Sequence, residues 1–141
     1  MKIGVPKETL RHEHRVGLTP FAASRLTGLG HEIFFERGAG KDAHFLEEDF
    51  TRAGAQIVYS AEEAYGRAEM VCRVGSLSAE EVKFLPPGSV VCGFHHLAVA
   101  TRDAVQQLIE RRVTMIGSLP KAARLISSER LHRSWFVGTK R

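Results

Sequence analysis

The sequence has 141 residues, 43% of them apolar, which suits one ordinary globular domain and is short for a two-domain enzyme. No apolar run approaches the roughly 18 residues of a membrane span, and no secretory signal pattern opens the chain, so we expect a cytoplasmic protein without membrane insertion. The net charge of +4 is uneven: residues 1–117 carry 14 basic and 15 acidic side chains, and residues 118–141 carry 6 and 1. A basic tail without a recognition helix or aromatic platform does not indicate nucleic-acid binding, and we interpret it as a tail or linker.

The first half of the chain alternates short apolar segments with capped helices. Lys2 to Val5 predicts a strand that ends at Pro6. Thr19-Pro20 predicts the start of a helix, because threonine caps helices and proline tolerates the first helical position. The further predicted elements are the end of that helix at Gly30, a strand at Ile33–Phe35, a helix at Leu46–Ala53 ended by Gly54, a strand at Gln56–Tyr59, and a helix opened by a capping box of Ser60 and Glu63.

The same alternation continues through the second half, and it predicts the fold class. The predicted elements are a strand at Met70–Val74, a capping box at Ser78 and Glu81, a strand at Ser89–Phe94, a helix capped by Thr101, and a strand at Val113–Ile116. Strands joined by helices over short connections pair in parallel, so we expect a doubly wound α/β sheet with helices on both faces, similar to flavodoxin or Rossmann folds. Ligands of such sheets bind beyond the carboxyl ends of the strands. Chemistry is therefore expected in residues 6–15, 37–44, 75–78 and 95–100.

One glycine-rich segment imitates a dinucleotide-binding motif. Gly38 to Ala43 matches G-x-G-x-x-(G/A), and Glu62-Glu63 lie about twenty positions further on. A phosphate loop must run directly into a helix, whereas the next helix here is expected only near Leu46 and begins with acidic residues that repel an anion. We interpret the segment as a glycine turn and expect the domain to lack a dinucleotide fingerprint.

Cysteines and histidines do not indicate a metal site. Cys72 and Cys92 lie in apolar segments, which predicts buried reduced thiols. His95 and His96 are adjacent after a predicted strand, so their side chains point in opposite directions and do not suit one ion. The remaining candidates are Arg15 and Arg73, which can bind a carboxylate through two hydrogen bonds, together with the histidine pair, which can exchange a proton near neutral pH. This combination suits a small carboxylic acid.

Several motifs resemble the N-terminal domain of the alanine dehydrogenase and pyridine nucleotide transhydrogenase family. The resemblance covers about residues 1–117 in order and defines the expected domain, with residues 118–141 as a tail or linker. The motifs are Met1-Lys2-Ile3-Gly4-Val5-Pro6-Lys7-Glu8, Glu13-His14-Arg15-Val16-Gly17-Leu18-Thr19-Pro20, Gly30-His31-Glu32, Gly38-Ala39-Gly40, Ala53-Gly54-Ala55 and Phe94-His95-His96-Leu97-Ala98.

The resemblance implies roles for particular residues. In alanine dehydrogenases the arginine of E-x-R-V-A-x-T-P binds the substrate carboxylate, and its match is Arg15. The histidine of F-x-H-L-A exchanges a proton with the substrate, and its match is His96. The second lysine of K-V-K-E-P also contacts substrate, but its match is Gly75, so we expect Arg73, on the same face of the strand, to replace part of that charge and contact the substrate.

The resemblance also implies a cofactor and partners outside this chain. The family binds NAD through a separate Rossmann-type domain, so this chain alone is expected to be inactive, with a cofactor-domain partner chain and homo-oligomers as further expectations. One reading is the substrate-binding domain of an alanine-dehydrogenase-like oxidoreductase acting on a small 2-oxo or 2-amino acid. A transhydrogenase α-type domain and a non-catalytic interaction module of the same fold remain alternatives.

Overall fold

The computed structural model describes residues 1–95 and 101–117. Two predictions, the role of His96 and the tail or linker at 118–141, therefore fall outside the described residues. The described strands are β1 (Lys2–Val5), β2 (Glu32–Glu36), β3 (Gln56–Val58), β4 (Met70–Cys72), β5 (Val90–Gly93) and β6 (Thr114–Gly117). The α-helices are α1 (Pro20–Gly28), α2 (Glu47–Arg52), α3 (Ala61–Gly66), α4 (Ala79–Phe84) and α5 (Arg102–Glu110), and a short 3-10 helix covers Lys41–Ala43.

The six strands form one parallel sheet in the order β3-β2-β1-β4-β5-β6. The strand β1 is central, with Ile3 beside Ile33 of β2 and beside Met70 of β4. From β1 the chain first builds outward to β3 and then returns to β4, so the direction of winding reverses between β1 and β4. This reversal is the topological switch point, where doubly wound sheets bind ligands beyond the carboxyl ends of the strands. The expected doubly wound α/β fold is confirmed.

Helices cover both faces of the sheet. On one face, α1 and α2 pack over β1 and β2, with Phe35 stacked on Phe50 at 3.6 Å between ring centroids. On the other face, α3 packs over β1, β2 and β3, and residues of α4 and α5 form a core with β4 and β5, where Val71 and Val91 are fully buried. None of the helices in residues 1–95 and 101–117 has the length and apolar character that crossing a membrane requires.

The helix starts follow the caps expected from the sequence, with one correction. The Thr19 hydroxyl accepts the Ala22 N–H, and Ser78 and Glu81 form both halves of a capping box. The predicted box at Ser60 is only half formed: its hydroxyl accepts the Glu63 N–H, but the Glu63 carboxylate accepts the N–H of Tyr59. Strand ends differ from the predicted ends by up to two residues. The largest difference is in β4, which was predicted to end at Val74 and ends at Cys72.

Candidate functional site

Arg15 lies in the loop that leaves β1 at the switch point, residues 6–19, here called the β1–α1 loop. Its turn is closed by a hydrogen bond of 3.1 Å from the Glu13 N–H to the Leu10 carbonyl, and His12 adopts a left-handed conformation with φ of 67°. Non-glycine residues rarely adopt that conformation, so the loop has a defined shape. The Arg15 side chain remains 65% exposed.

The Arg15 guanidinium is held on one side by Glu13. Its Nε donates to Glu13 Oε1 at 2.8 Å and its Nη2 donates to Glu13 Oε2 at 2.7 Å. The guanidinium also lies over the Phe94 ring, with Cζ 5.5 Å from the ring centroid. Within the described residues, Nη1 has no hydrogen-bond partner. Glu13 and Phe94 therefore orient the guanidinium and leave one edge open for a further acceptor.

Electrostatics keep the Arg15–Glu13 pair ionised. Hydrogen bonds from the Arg15 side chain lower the pKa of Glu13 to about 2. In return, hydrogen bonding to Glu13 raises the pKa of Arg15, with a further contribution from the charge of Glu8. Arg15 is therefore a permanent cation at neutral pH, as binding a carboxylate requires.

Arg73 has a different environment, because its side chain has no exposed surface. Its Nη2 lies 3.2 Å from Glu8 Oε2, and its Nη1 lies 3.0 Å from Glu81 Oε1. The same Nη1 donates to the Tyr65 hydroxyl at 2.6 Å, and that hydroxyl donates to Glu81 Oε1 at 3.3 Å. These four side chains form a buried network with one positive and two negative charges.

The buried network shifts the ionisation of its members. Burial raises the pKa of Glu81, but the charge of Arg73 and hydrogen bonds from Ser78 and Arg73 lower it more, so the net shift is downward. Burial raises the pKa of Tyr65, which stays protonated. The direct contact between Arg73 and a substrate stays a prediction, and a substrate could reach Arg73 only if this network opened.

Gly75 is the position at which the resemblance to the family implies a lysine. A Cβ at this position would lie 2.5 Å from Leu10 Cδ1 and 3.1 Å from Glu8 Oε2. The space that a side chain would need is therefore filled by the β1–α1 loop. The Arg73 guanidinium is buried beside Glu81 of α4, and the replacement of the lysine charge by Arg73 stays a prediction.

The end of β5 lies beside the end of β4. The Phe94 N–H donates to the Val74 carbonyl at 2.9 Å, which continues the pairing of the two strands. His95 places Nε2 3.2 Å from the Val91 carbonyl oxygen. Arg15 contacts Phe94, which precedes His96 by two positions in the sequence. The placement of His96 itself is not described.

The described residues do not fit a dinucleotide at the switch point. The Glu8 carboxylate accepts the N–H groups of Val74 and Gly75 there, so a carboxylate already occupies the backbone donors that a phosphate would use. The first helix begins only at Pro20, so no helix N-terminus follows β1 directly. The loop after Val5 also lacks the glycine-rich motif that allows a pyrophosphate to approach the turn closely.

The glycine segment after β2 does not provide these features either. It leads into the 3-10 helix Lys41–Ala43, and α2 begins at Glu47 with three acidic residues in its first turn. The Gly38 N–H already donates to Glu47 at 3.1 Å. This geometry agrees with the interpretation of the segment as a turn.

The two cysteines are neighbours in the sheet. Cys72 of β4 and Cys92 of β5 are register partners, and both are partly buried free thiols. Burial raises the pKa of Cys72 to about 12 and also raises the pKa of Cys92. Such thiols form little reactive thiolate at neutral pH.

Three acidic residues of this region were not identified as functional candidates from the sequence. Glu8 and Glu13 belong to the quoted family motifs, and Glu81 appears only as half of a capping box. Alternation along a strand cannot reveal that Glu8 and Glu81 meet at Arg73, because 73 positions separate them in sequence. The motif membership of Glu8 and Glu13 was the only signal available.

The geometry defines a doubly wound α/β domain whose Arg15 guanidinium lies beyond the strand ends with one edge open. Residues 4–119 match the family model described as alanine dehydrogenase/PNT, N-terminal domain. The chain therefore belongs to the alanine dehydrogenase and pyridine nucleotide transhydrogenase family, whose N-terminal domain it matches.

Curated relatives agree with this assignment. The alanine dehydrogenase of Bacillus subtilis (strain 168) is 39% identical over 117 residues, which cover 83% of this chain and 30% of the relative. The alanine dehydrogenase of Halomonas elongata is 38% identical over 117 residues, which cover 83% of this chain and 31% of the relative. The chain thus spans about a third of the length of these relatives.

Solved structures show the same fold. A structure described as L-alanine dehydrogenase superimposes with a TM-score of 0.78 at 39% identity and covers 85% of this chain and 34% of its own. A transhydrogenase from Sinorhizobium meliloti gives a TM-score of 0.76 at 21% identity, covering 88% of this chain and 38% of its own. The second likeness concerns the fold alone.

Proposed function

We propose that this chain is the substrate-binding part of an alanine-dehydrogenase-like oxidoreductase that acts on a small 2-oxo or 2-amino acid. In this proposal the open edge of Arg15 binds the substrate carboxylate. His96 exchanges a proton with the substrate carbonyl or amino group. The family membership and the relatives named alanine dehydrogenase support this reading.

The observation that carries the proposal is the state of the Arg15 guanidinium. It is exposed, oriented by Glu13 and Phe94, and open at Nη1 among the described residues. It also lies beyond the carboxyl ends of parallel strands, where ligands of doubly wound sheets bind. A guanidinium in this state can hold a carboxylate through charge-assisted hydrogen bonds without first breaking an internal pair.

The nicotinamide cofactor belongs, in this proposal, to a separate domain. The switch point of the present domain is filled by Glu8, and the glycine segment after β2 does not suit a pyrophosphate. Hydride transfer requires the donor and acceptor carbons to be held against each other. We therefore expect NAD to bind a Rossmann-type domain, on a longer polypeptide or on a partner chain, and the 141-residue chain alone to bind substrate without turning it over.

Calorimetric titration with pyruvate tests the proposal on the 141-residue chain. Arg15→Ala should weaken binding about 10- to 100-fold, because it removes charge-assisted hydrogen bonds to the carboxylate. Arg67→Ala is a matched control, because Arg67 also pairs with a glutamate, Glu63, and lies over an aromatic ring, Phe34, at 5.5 Å. Arg67 lies between α3 and the start of β4, so it is at the amino ends of the strands, whereas Arg15 lies beyond their carboxyl ends.

The control variant shows whether a loss of binding is specific to the position of Arg15 or follows from the removal of any arginine with similar contacts. The proposal expects Arg67→Ala to bind pyruvate like the unsubstituted chain. Equal affinities of the Arg15→Ala variant and the unsubstituted chain would refute the role of Arg15. Equal losses in both variants would indicate nonspecific attraction of an anion to surface charge.

A second candidate is a non-catalytic module of the same fold. Gly75 favours it, because the β1–α1 loop fills the space of the family lysine and one substrate contact is missing. This candidate predicts that the folded chain binds no 2-oxo or 2-amino acid. The same titration therefore separates the two candidates.

A further inference from the structure

The Glu8 carboxylate is the group that fills the switch point. Its side chain is only 4% exposed, although it lies three residues beyond the end of β1. Oε1 accepts the N–H of Val74, and Oε2 accepts the N–H of Gly75 at 3.1 Å and the Arg73 Nη2 at 3.2 Å. One carboxylate therefore joins the start of the β1–α1 loop to the end of β4.

Other contacts hold the same loop at its two ends. Near its start, the Lys7 N–H donates to Glu36 at 2.7 Å, and the Thr9 hydroxyl donates to Glu81 at 3.3 Å. Near its end, Gly17 packs against β4 so closely that an added Cβ would lie 2.2 Å from the Cys72 carbonyl oxygen. The exposed segment that carries Arg15 lies between these two ends of the loop. The position of this segment therefore depends on the contacts that hold the ends.

The binding site of the Glu8 carboxylate depends on the glycine at position 75. A Cβ there would crowd both Glu8 Oε2 and Leu10 Cδ1. The bulk of a lysine would therefore compete with the observed positions of Glu8 and Leu10. The buried position of Glu8 therefore depends on the absence of a side chain at Gly75.

Glu8 also acts on Arg15 through its charge. The Glu8 carboxylate is close enough to contribute to the raised pKa of Arg15, after the larger effects of Glu13. Removal of the Glu8 charge would therefore alter both the geometry and the electrostatic environment of the open guanidinium. Glu13 orients the guanidinium locally, whereas Glu8 fixes the loop on which both residues lie.

We propose that Glu8 is a positioning residue, which acts through Arg15: by filling the switch point it holds the β1–α1 loop so that the open guanidinium edge faces the ligand. The identity of the ligand rests on the proposed function, but the dependence of Arg15 on Glu8 does not. Glu8 itself touches no substrate in this account. Its effect on binding is therefore indirect and should be visible at Arg15 even without ligand.

Glu8→Gln tests this inference, because it removes the charge and keeps the size of the side chain. In either orientation the amide NH2 would face an N–H donor, of Val74 or of Gly75 and Arg73, so part of the contact at the switch point is lost. We expect the Arg15 Nε–H resonance to shift, the amides of Val74 and Gly75 to exchange faster with solvent, and pyruvate affinity to fall at least about tenfold, as expected when a binding group is displaced. Glu69→Gln is the control, since Glu69 accepts the Lys2 N–H at 2.7 Å before the start of β4, and it should change none of these three.

The outcomes separate this inference from the proposed function. An unchanged Arg15 resonance with unchanged amide exchange in Glu8→Gln would overturn the inference, even if pyruvate binds. A lack of pyruvate binding by the unsubstituted chain would overturn the proposed function, while the resonance and the exchange rates would still decide the role of Glu8. If Glu8→Gln does not fold, Gly75→Ala displaces Glu8 and Leu10 without a change of charge and must shift the Arg15 resonance; no shift there overturns the inference.

Discussion

Arg15 and Arg73 are the same type of residue near the same end of the sheet, yet they are in opposite states. The Arg15 side chain is 65% exposed, has one acidic partner and keeps an open edge, whereas the Arg73 side chain has no exposed surface and is paired with Glu8 and Glu81. Both are candidates for binding a carboxylate when only the sequence is considered. The difference shows that the partners already present, and not the residue type, determine which cation is available to a ligand.

The two arginines also differ in what they contribute to stability. Exposed ion pairs stabilise proteins little, because water screens them and the side chains lose conformational entropy. A buried pair is different, since removal of one member leaves the other charged and without a partner in the interior. We therefore expect Arg73 to be required for folding and Arg15 to be required for binding.

The largest predicted effect is that of Arg73→Met. This change leaves Glu8 and Glu81 buried without their cation, and it should lower the free energy of unfolding by about 3–5 kcal/mol. Urea unfolding followed by circular dichroism measures the loss. Arg15→Met is the comparison and should leave the unfolding midpoint nearly unchanged; similar midpoints for both variants would remove the distinction between the two arginines.

A smaller effect is predicted for Glu81→Gln, together with a change in pH dependence. The pKa of Glu81 is lowered in the folded state, so its carboxylate stabilises the fold above the usual glutamate pKa, and this contribution is lost as the pH falls through the lowered value. Glu81→Gln should cost about 1–3 kcal/mol at pH 7 and flatten the decline in stability below pH 4.5. An unaltered acid dependence of the unfolding free energy would contradict the assigned role of Glu81.

The contact between the β1–α1 loop and β4 can be tested by Gly17→Ala. The new Cβ would clash with the Cys72 carbonyl oxygen, a backbone atom that cannot move away by a change of rotamer. The free energy of unfolding is therefore expected to fall by about 1–3 kcal/mol. Gly28→Ala is the control, because nothing lies within 4 Å of a Cβ there and alanine favours the helix. Thermal unfolding of both variants would show whether the loop is seated as closely as described.

The smallest predicted effect concerns the pH at which Glu13 titrates. Its pKa is lowered to about 2, so the hydrogen bonds to Arg15 persist below the usual glutamate range and are lost only as the pH approaches that value. A carboxyl NMR titration measures this directly. A Glu13 midpoint at the ordinary glutamate value of about 4.5 would show that Arg15 is not held as described.

The sequence predicted the fold well, because its signals are local. Thr19, Ser78 and Thr101 begin helices through their own hydroxyl groups. Pro20 occupies the first helical position of α1, and Gly30 and Pro86 follow the ends of α1 and α4. The parallel sheet follows from the alternation of strands with helices. Strand ends were less accurate, since the apolar segment at Met70–Val74 continues past the end of β4 at Cys72.

The candidate site was predictable only in part. Arg15 and His96 follow from motifs, although the placement of His96 is not described. The burial of Arg73 could not be predicted, because alternation gives the face of a side chain but not its depth or its distant partners. Its network depends on Glu8, 65 positions away, and on a hydroxyl from α3, Tyr65. Such long-range pairing requires coordinates.

The roles of Arg15 and Arg73 can be compared most directly by following their side-chain Nε–H resonances by NMR in the same sample while pyruvate is added. We expect the Arg15 resonance to shift in a saturable manner and the Arg73 resonance to stay in place. A saturable shift of the Arg73 resonance with a constant Arg15 resonance would contradict this expectation, because the ligand would then bind the buried guanidinium and not the open one.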